Sequence, residues 1–223
     1  MFFSARILLC LCLLTAFPSV NAESISHEGK EYSRIDKVTA APDVVEFFSF
    51  YCMPCYLFSQ KYHVADTVQA SLPAGIKFKK YHVSQMGAAG NELTQAWAVA
   101  MTLGIEKKME PLLFEGVRKS NKSITAGGIE AIFQQAGVSV KDYELAKNSQ
   151  AVKALVVQQN KAVKDFNVSY TPSFYVSGQY RIINQGIEGM DSNHPDAYAK
   201  EYAGVIRDLL NIPDIFSSKQ GFY

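Results

Sequence analysis

Hydrophobic and polar positions along the chain first follow a strand pattern and then a helical one. A short strand is indicated around Tyr32–Val38, and residues 44–50, rich in β-branched and aromatic side chains, have the length of a buried strand. From Tyr56 the apolar positions take helical spacing, and residues 76–83 alternate partly, as in another strand. This order predicts a β-α-β unit with parallel strands and a right-handed crossover, whose helix runs to about Ala70.

The middle of the chain carries no strand pattern. Between Gln85 and about Lys161, apolar residues recur at helical spacing in segments that glycines separate, which predicts four or five helices. Strand patterns return after residue 168, where two short runs flank a turn-like segment at 177–179 and predict a hairpin. A last helix starts at Pro195. The predicted fold class is therefore α/β, with an all-helical domain inserted.

The N-terminal segment has the pattern of a signal peptide. Arg6 precedes an apolar stretch at 7–17, which is too short to span a bilayer, and small residues lead to a predicted cleavage after Ala22. Cleavage makes the protein an exported one, which implies an oxidising compartment. We assign the chain as follows: 1–22 signal peptide, 23–85 and 161–223 α/β domain, 86–160 inserted helical domain.

Charge and cysteine content exclude several classes of function. The formal net charge is +1 and no block of Lys and Arg stands out, so nothing points to nucleic acid or to an anionic membrane surface. Two of the four cysteines leave with the signal peptide, so the exported chain cannot hold a disulfide framework. A zinc site is disfavoured because a second cysteine pair or a close histidine pair is missing from the sequence. We predict no metal and no cofactor.

The remaining cysteines form the motif Cys52-Met53-Pro54-Cys55, where the predicted strand turns into a helix. A helix start carries partial positive charge and free N–H groups, which lower the pKa of a thiol placed there. Cys52 should therefore be the exposed, ionised nucleophile, and Cys55, one turn further, should be shielded. Pro54 fits the first helical turn. The ring that the pair would close is too short to stabilise the fold much, so a dithiol that cycles is favoured over a structural bond.

Several segments of the sequence resemble a known protein family. The run Glu46–Tyr51 followed by C-x-x-C resembles the active-site strand and turn of the DsbA family, the bacterial periplasmic thiol:disulfide oxidoreductases of the thioredoxin superfamily. The resemblance covers nearly all of 23–210. Further segments resemble that family in the same order, namely Lys80–Val83, Leu93–Met101, Leu113–Val117, Pro172 and Gln185–Gly186.

The resemblance implies a thioredoxin fold with an inserted all-helical domain and a catalytic disulfide between Cys52 and Cys55. It implies that Thr171-Pro172 is cis and lies against the sulfurs, where a substrate peptide pairs with the backbone. The function implied is donation of the disulfide to reduced exported proteins. A membrane partner of the DsbB type would reoxidise the enzyme, and we expect a monomer.

Three positions depart from the family pattern. Met53-Pro54 stands where the best-known oxidant has Pro-His, Thr171 stands where it has an apolar residue, and Ser59 replaces an acid on the first helix. Threonine recurs before the proline in isomerase relatives. These departures bear on the redox potential and the substrate range. The alternatives are a disulfide isomerase or reductase of the same fold and, in a different class, a peptide-binding chaperone.

Glu46 is an acid within the predicted central strand, and Lys80 on the next strand is its expected partner. A buried acid behind the dithiol could relay protons to Cys55. A plain buried ion pair, which is weak evidence of function, explains the same pattern. The sequence leaves both interpretations open.

Overall fold

The computed structural model describes residues 26–41, 43–190 and 194–211. The predicted signal peptide and the C-terminal tail lie outside these residues. The strands are β1 (Tyr32–Arg34), β2 (Val44–Phe48), β3 (Phe78–His82), β4 (Ser173–Val176) and β5 (Tyr180–Ile182). They form one mixed sheet in the order β1-β5-β4-β2-β3, in which only β2 and β3 are parallel.

Helices cover the sheet on both faces. They are α1 (Met53–Gln60), α2 (Val64–Ser71), α3 (Gly90–Leu103), α4 (Glu106–Lys119), α5 (Ala126–Gln135), α6 (Val140–Lys147), α7 (Gln150–Asp165) and α8 (Pro195–Asn211). The β2-α1-α2-β3 unit supplies the parallel pair, and α3 to α7 lie between β3 and β4. This is the expected thioredoxin fold with a helical insertion.

The single helix predicted from the cysteine pair to about Ala70 is wrong. The chain breaks between α1 and α2 at His63, a residue with a left-handed backbone conformation (φ 52°). Neither glycine nor proline marks the break in the sequence. The break accompanies tertiary packing, because Tyr62 is buried and its ring lies 5.4 Å from that of Tyr198 on α8.

The hairpin predicted near the C-terminus is confirmed as β4 and β5. Its turn places both Ser177 and Gly178 at positive φ, at 51° and 67°. Gly178 is needed for a second reason, since a Cβ atom there would lie 2.5 Å from the Thr39 side chain. The strand indicated around Tyr32–Val38 is shorter than expected and ends at Arg34.

The hydrophobic core divides into three clusters. One lies between the sheet and α1, α2 and α8. Another lies on the opposite face, where Val163 near the end of α7 belongs to one cluster with side chains of β2, β3 and β4. The third fills the helical insertion and includes Cys52 and Cys55. Helix α7 takes part in two clusters, because Val152 near its start belongs to the insertion. The predicted boundary at residue 160 falls within this helix, and the domain limits stay a prediction.

The insertion also covers the open edge of β3. Trp97 on α3 is buried and donates its ring N–H to the Lys80 carbonyl at 2.8 Å. Gln159 on α7 accepts the His82 N–H at 2.9 Å and donates to the Thr94 carbonyl at 3.3 Å. These contacts satisfy edge groups that would otherwise pair with another strand.

In the described ranges, no helix is both long enough and apolar enough to cross a membrane.

Candidate active site

Cys52 occupies the N-cap of α1, directly after the turn that follows β2. Its backbone is extended (φ −88°, ψ 114°) and its N–H donates to the Ser49 carbonyl at 3.0 Å. Pro54 lies in the first turn of the helix, where no intrahelical partner for its nitrogen is required. The Cys55 N–H donates to the Cys52 sulfur at 3.4 Å. The thiol therefore stands where a side chain normally caps a helix start.

The pKa values of the two thiols are shifted in opposite directions. A hydrogen bond from the Cys55 thiol, helped by the Thr171 side chain and the Cys55 N–H, outweighs burial and lowers the pKa of Cys52 to about 6. Burial, together with the bond it gives to Cys52, raises the pKa of Cys55 well above its usual value. This pair can therefore present one thiolate and one thiol at neutral pH.

The expectation that Cys52 is exposed is wrong. Its relative accessible surface is 7%, against 1% for Cys55. The cover comes from the loop before β4, where the Thr171 carbonyl accepts a hydrogen bond from the Cys52 thiol at 3.3 Å. Cys52 remains the more accessible of the two cysteines, and the exposed surface beside it belongs to Met53, which is 53% exposed.

The loop before β4 carries the predicted Thr171-Pro172 pair. Their peptide bond is cis, as the resemblance implied. The Pro172 carbonyl accepts from the Asn184 side chain at 2.8 Å, and the Asn184 oxygen accepts from the Tyr202 hydroxyl at 2.7 Å. Asn184 was missed from the sequence, since its partners lie on the loop and on α8 and only the fold brings them together.

A groove of about 590 Å³ lies beside the loop before β4, and Pro54 of the C-x-x-C motif forms part of its wall. Its walls are mainly apolar and come from α1, the loop before β4 and the segment after β5. Tyr170 and Met190 on its rim are 39% and 54% exposed. Exposed apolar side chains around a cleft are typical of a binding surface. The remaining lining residues are Pro54, Leu57, Phe58, Tyr62, Thr171, Pro172, Asn184, Gln185 and Ile187.

Glu46 and Lys80 do meet, and the structure adds a third charge. The two residues are register partners on β2 and β3, so their side chains share a face, and the ion-pair distance is 2.9 Å. Lys80 also contacts Glu110 of α4 at 2.8 Å. The Ser59 hydroxyl on α1 donates to the Glu110 carboxylate, and the Gln60 side chain donates to Ser59 at 2.6 Å. We call Glu46, Lys80, Glu110 and Ser59 the charged cluster.

Burial and the neighbouring charges together set the pKa values of the charged cluster. It raises the pKa of Glu46 to about 7, although Lys80 opposes the shift, and Glu110 raises the value further. Burial lowers the pKa of Lys80, but the two carboxylates outweigh it and the net shift is upward. Glu110 was missed from the sequence, yet a signal existed: it precedes the buried Leu113 and Phe114 by three and four positions, which places it on their side of the helix.

His82 is buried and connects the insertion to the active-site turn. It accepts the Phe50 N–H at 3.2 Å, and its other ring nitrogen lies 2.8 Å from the Thr94 hydroxyl. Burial lowers the pKa of His82 to about 3, so the ring is neutral at physiological pH.

Within 26–41, 43–190 and 194–211, no group of three or more His, Cys, Asp or Glu side chains is arranged to hold a metal ion.

Comparison with known proteins agrees with this geometry. Residues 43–203 match the family described as DSBA-like thioredoxin domain. The DsbA thiol:disulfide interchange protein of Yersinia pestis is 48% identical over 184 residues, covering 82% of this chain and 87% of the relative. That of Salmonella typhimurium is 44% identical over 207 residues, covering 92% and 98%.

Solved structures give the same result. The Klebsiella pneumoniae DsbA structure is 41% identical and superposes with a TM-score of 0.78, covering 84% of this chain and 98% of the other. A Proteus mirabilis DsbA variant with a non-covalently bound peptide is 41% identical, with a TM-score of 0.77 and coverage of 83% and 98%. The chain therefore belongs to the DSBA-like thioredoxin domain family and is a thiol:disulfide oxidoreductase of the DsbA type.

Proposed function

We propose that this protein oxidises pairs of thiols in exported proteins by donating a Cys52–Cys55 disulfide. The observation that carries the proposal is the position of Cys52 at the N-cap of α1, where its sulfur accepts the Cys55 N–H at 3.4 Å. That position favours the thiolate of Cys52. A group that is stable as a thiolate is also a good leaving group in disulfide exchange.

The reaction proceeds in two exchanges. A substrate thiolate attacks the Cys52 sulfur, an intermolecular S–S bond forms, the Cys52–Cys55 bond breaks, and Cys55 takes up a proton. A second substrate thiolate then attacks the substrate sulfur of the mixed disulfide, and Cys52 departs as the thiolate. The substrate loses two electrons and two protons, and the enzyme disulfide gains the electrons. Stabilising the Cys52 thiolate favours the reduced enzyme, which makes the disulfide oxidising.

The groove and the Thr171-Pro172 loop are proposed to receive the substrate. An extended peptide laid along this loop can pair with backbone groups, while the apolar groove takes its side chains. The Proteus mirabilis DsbA structure holds a bound peptide, which supports a peptide as the kind of ligand. Met53 and Pro54 directly follow Cys52 and are both exposed, and Pro54 lines the groove, so both would contact the same peptide.

An isomerase is the second candidate. Thr171 favours it, because Thr171 contacts the Cys52 thiol through its carbonyl at 3.3 Å and stands where isomerase relatives also carry threonine. Assays that follow oxidation of a reduced model peptide and reshuffling of a scrambled disulfide substrate separate the two functions. An enzyme that reshuffles faster than it oxidises would overturn the oxidant assignment.

Alkylation tests the role given to Cys52. Since its pKa is about 6 and that of Cys55 is raised, iodoacetamide should label Cys52 in the reduced protein much faster than Cys55 at pH 7. The rate should fall as pH drops through about 6, because protonation removes the nucleophile. In the Cys55→Ala variant the profile should move to higher pH, because the thiol that donates to Cys52 is lost. Equal labelling of the two cysteines would contradict the assignment.

We also propose the setting in which the enzyme works. The sequence pattern supports export with cleavage after Ala22, action in the periplasm and no need for a cofactor. A membrane partner of the DsbB type is proposed to reoxidise a monomeric enzyme. Deleting such partners should leave Cys52 and Cys55 as free thiols in cells, and a pair that stayed fully oxidised would refute this partner.

A further inference from the structure

Thr171 contacts two sulfur atoms through two different groups. Its carbonyl accepts a hydrogen bond from the Cys52 thiol at 3.3 Å, and its hydroxyl donates to the Met86 thioether at 3.4 Å. A hydroxyl carries one proton, so it can donate to only one sulfur at a time. In this structure, which has both cysteines as free thiols, that proton points to Met86.

Met86 is held in place by the segment that carries it, between β3 and α3. The Ser84 hydroxyl donates to the Asn160 side chain of α7 at 2.8 Å, and the Ala89 N–H donates to the Tyr51 hydroxyl at 3.1 Å. The Met86 side chain is half-buried and contacts both the cluster that contains the cysteines and the cluster around α7. The thioether is therefore a fixed acceptor beside the loop before β4.

The two sulfurs differ greatly as acceptors. A thioether accepts hydrogen bonds weakly, whereas hydrogen bonds to an ionised group are about twice as strong as those between neutral groups. The Cys52 thiol donates to the Thr171 carbonyl, but the thiolate has no proton to donate and needs donors instead. The donors around it are few, since Met53 and Pro54 offer no polar hydrogen from their side chains and Pro54 lacks an N–H.

We propose that Met86 is a positioning residue that competes with the Cys52 thiolate for the Thr171 hydroxyl, and so limits how strongly the enzyme oxidises. While Cys52 is a thiol, the hydroxyl rests on Met86. When Cys52 becomes a thiolate, the hydroxyl turns to it and gives up the Met86 bond. The Thr171 side chain also contributes to the lowered pKa of Cys52, which agrees with a hydroxyl that reaches both sulfurs. This inference rests on the proposed function of Cys52.

A double-mutant cycle tests the proposal. Met86→Leu keeps the apolar bulk at nearly constant volume and removes the acceptor. It should shift the glutathione equilibrium toward the reduced enzyme by roughly threefold to tenfold, since one neutral hydrogen bond is at stake. That corresponds to about 15 to 30 mV more oxidising, with a matching fall in the Cys52 pKa followed by thiolate absorbance. In the Thr171→Val background, Met86→Leu should change neither quantity.

The other outcomes overturn the inference. Equal shifts in both backgrounds would mean that Met86 acts through packing, and no shift in the Thr171 background would mean that it does not compete. Urea unfolding of each reduced variant checks that the fold is kept, and Met86→Ile, which also lacks the acceptor, serves if Met86→Leu does not fold. If Cys52 of the unmodified protein is not the faster-labelled thiol, the proposed function fails first. If it is, a null cycle rejects only the role of Met86.

Discussion

The Cys52 thiol and the Glu46 carboxyl are both buried acids, yet their pKa values move in opposite directions. Glu46 is 1% exposed, and burial raises its pKa to about 7 despite a lysine at 2.9 Å. Cys52 is 7% exposed, and its pKa falls to about 6 with hydrogen bonds as its stabilising contacts. Hydrogen-bond donors aimed at the Cys52 sulfur therefore lower its pKa, whereas the full positive charge of Lys80 does not bring the pKa of Glu46 down to its usual value.

The difference follows from what each group faces. The Cys52 sulfur lies at a helix start, where N–H groups point toward it and cost nothing further to organise. Glu46 lies inside the sheet, and Lys80 divides its charge between Glu46 and Glu110. We infer that the thiol site sets reactivity and the charged cluster sets stability.

The largest expected effect is on stability, from Lys80→Met. Removing the cation leaves two buried carboxylates unpaired, which should lower the free energy of unfolding by about 3–5 kcal/mol at pH 8. The pKa of Glu46 lies above its usual 4.5, so protonated Glu46 favours the folded state. Lys80 lowers the pKa of Glu46, so its loss should raise that pKa further. The destabilisation is therefore absent below pH 4.5 and grows as pH rises from there through about 7 and above. Urea titrations at pH 5 and pH 8 should show a much smaller loss at pH 5.

Lys161→Met is the matched control for that experiment. Lys161 pairs with Asp165 on the surface, where the two side chains are 71% and 38% exposed, so its loss should cost about 1 kcal/mol or less. The redox potential of the Lys80 variant should stay close to that of the parent. If Lys80→Met instead slows the reaction at Cys55 with little loss of stability, the proton-relay interpretation of Glu46 is favoured. The division between the two sites is then rejected.

The next effect is on the potential, from the double substitution Met53→Pro, Pro54→His. A histidine side chain at the helix start can donate to the Cys52 thiolate, and hydrogen bonds to charged groups contribute about 1.5–3 kcal/mol. The disulfide should become more oxidising by about 30–60 mV in a glutathione titration. Met53→Leu, which adds no donor, should leave the potential unchanged. An unchanged or lower potential in the double variant would show that the dipeptide does not control the thiolate.

Local patterns were enough to predict part of this site. The β2 strand, the helix start at Cys52 and the β4–β5 hairpin each depend on neighbours in sequence, and all three were predicted correctly. The approach of Thr171 to Cys52 joins residues 119 positions apart, and only the family resemblance anticipated it.

Other features depend on tertiary contacts that no local pattern records. The break at His63, the Glu110 contact to Lys80 and the Met86 contact to Thr171 each require knowing which elements pack together. The low exposure of Cys52 is of the same kind, because its cover comes from a loop far along the chain.

The smallest predicted effect comes from Ser59→Ala, at the junction of the two sites. Ser59 lies on α1, the helix that Cys52 caps, but its hydroxyl donates to Glu110 of the charged cluster. Losing that bond should cost about 1.5 kcal/mol of unfolding free energy, the low end for a bond to a charged group, because the Glu110 side chain is 15% exposed. Ser71→Ala on α2, whose hydroxyl donates to the neutral Val68 carbonyl at 2.8 Å, should cost less.

The decisive measurement on Ser59→Ala is its redox potential beside its stability. If α1 merely connects the two sites, the potential should match the parent, because the donors around Cys52 all come from the first turn or from the loop before β4. A shift as large as that expected for the Met53-Pro54 variant would mean that the charged cluster reaches the sulfur through the helix. The opposite pKa displacements of Cys52 and Glu46 would then have a common cause, and hydrogen bonding alone would no longer explain the low pKa of Cys52.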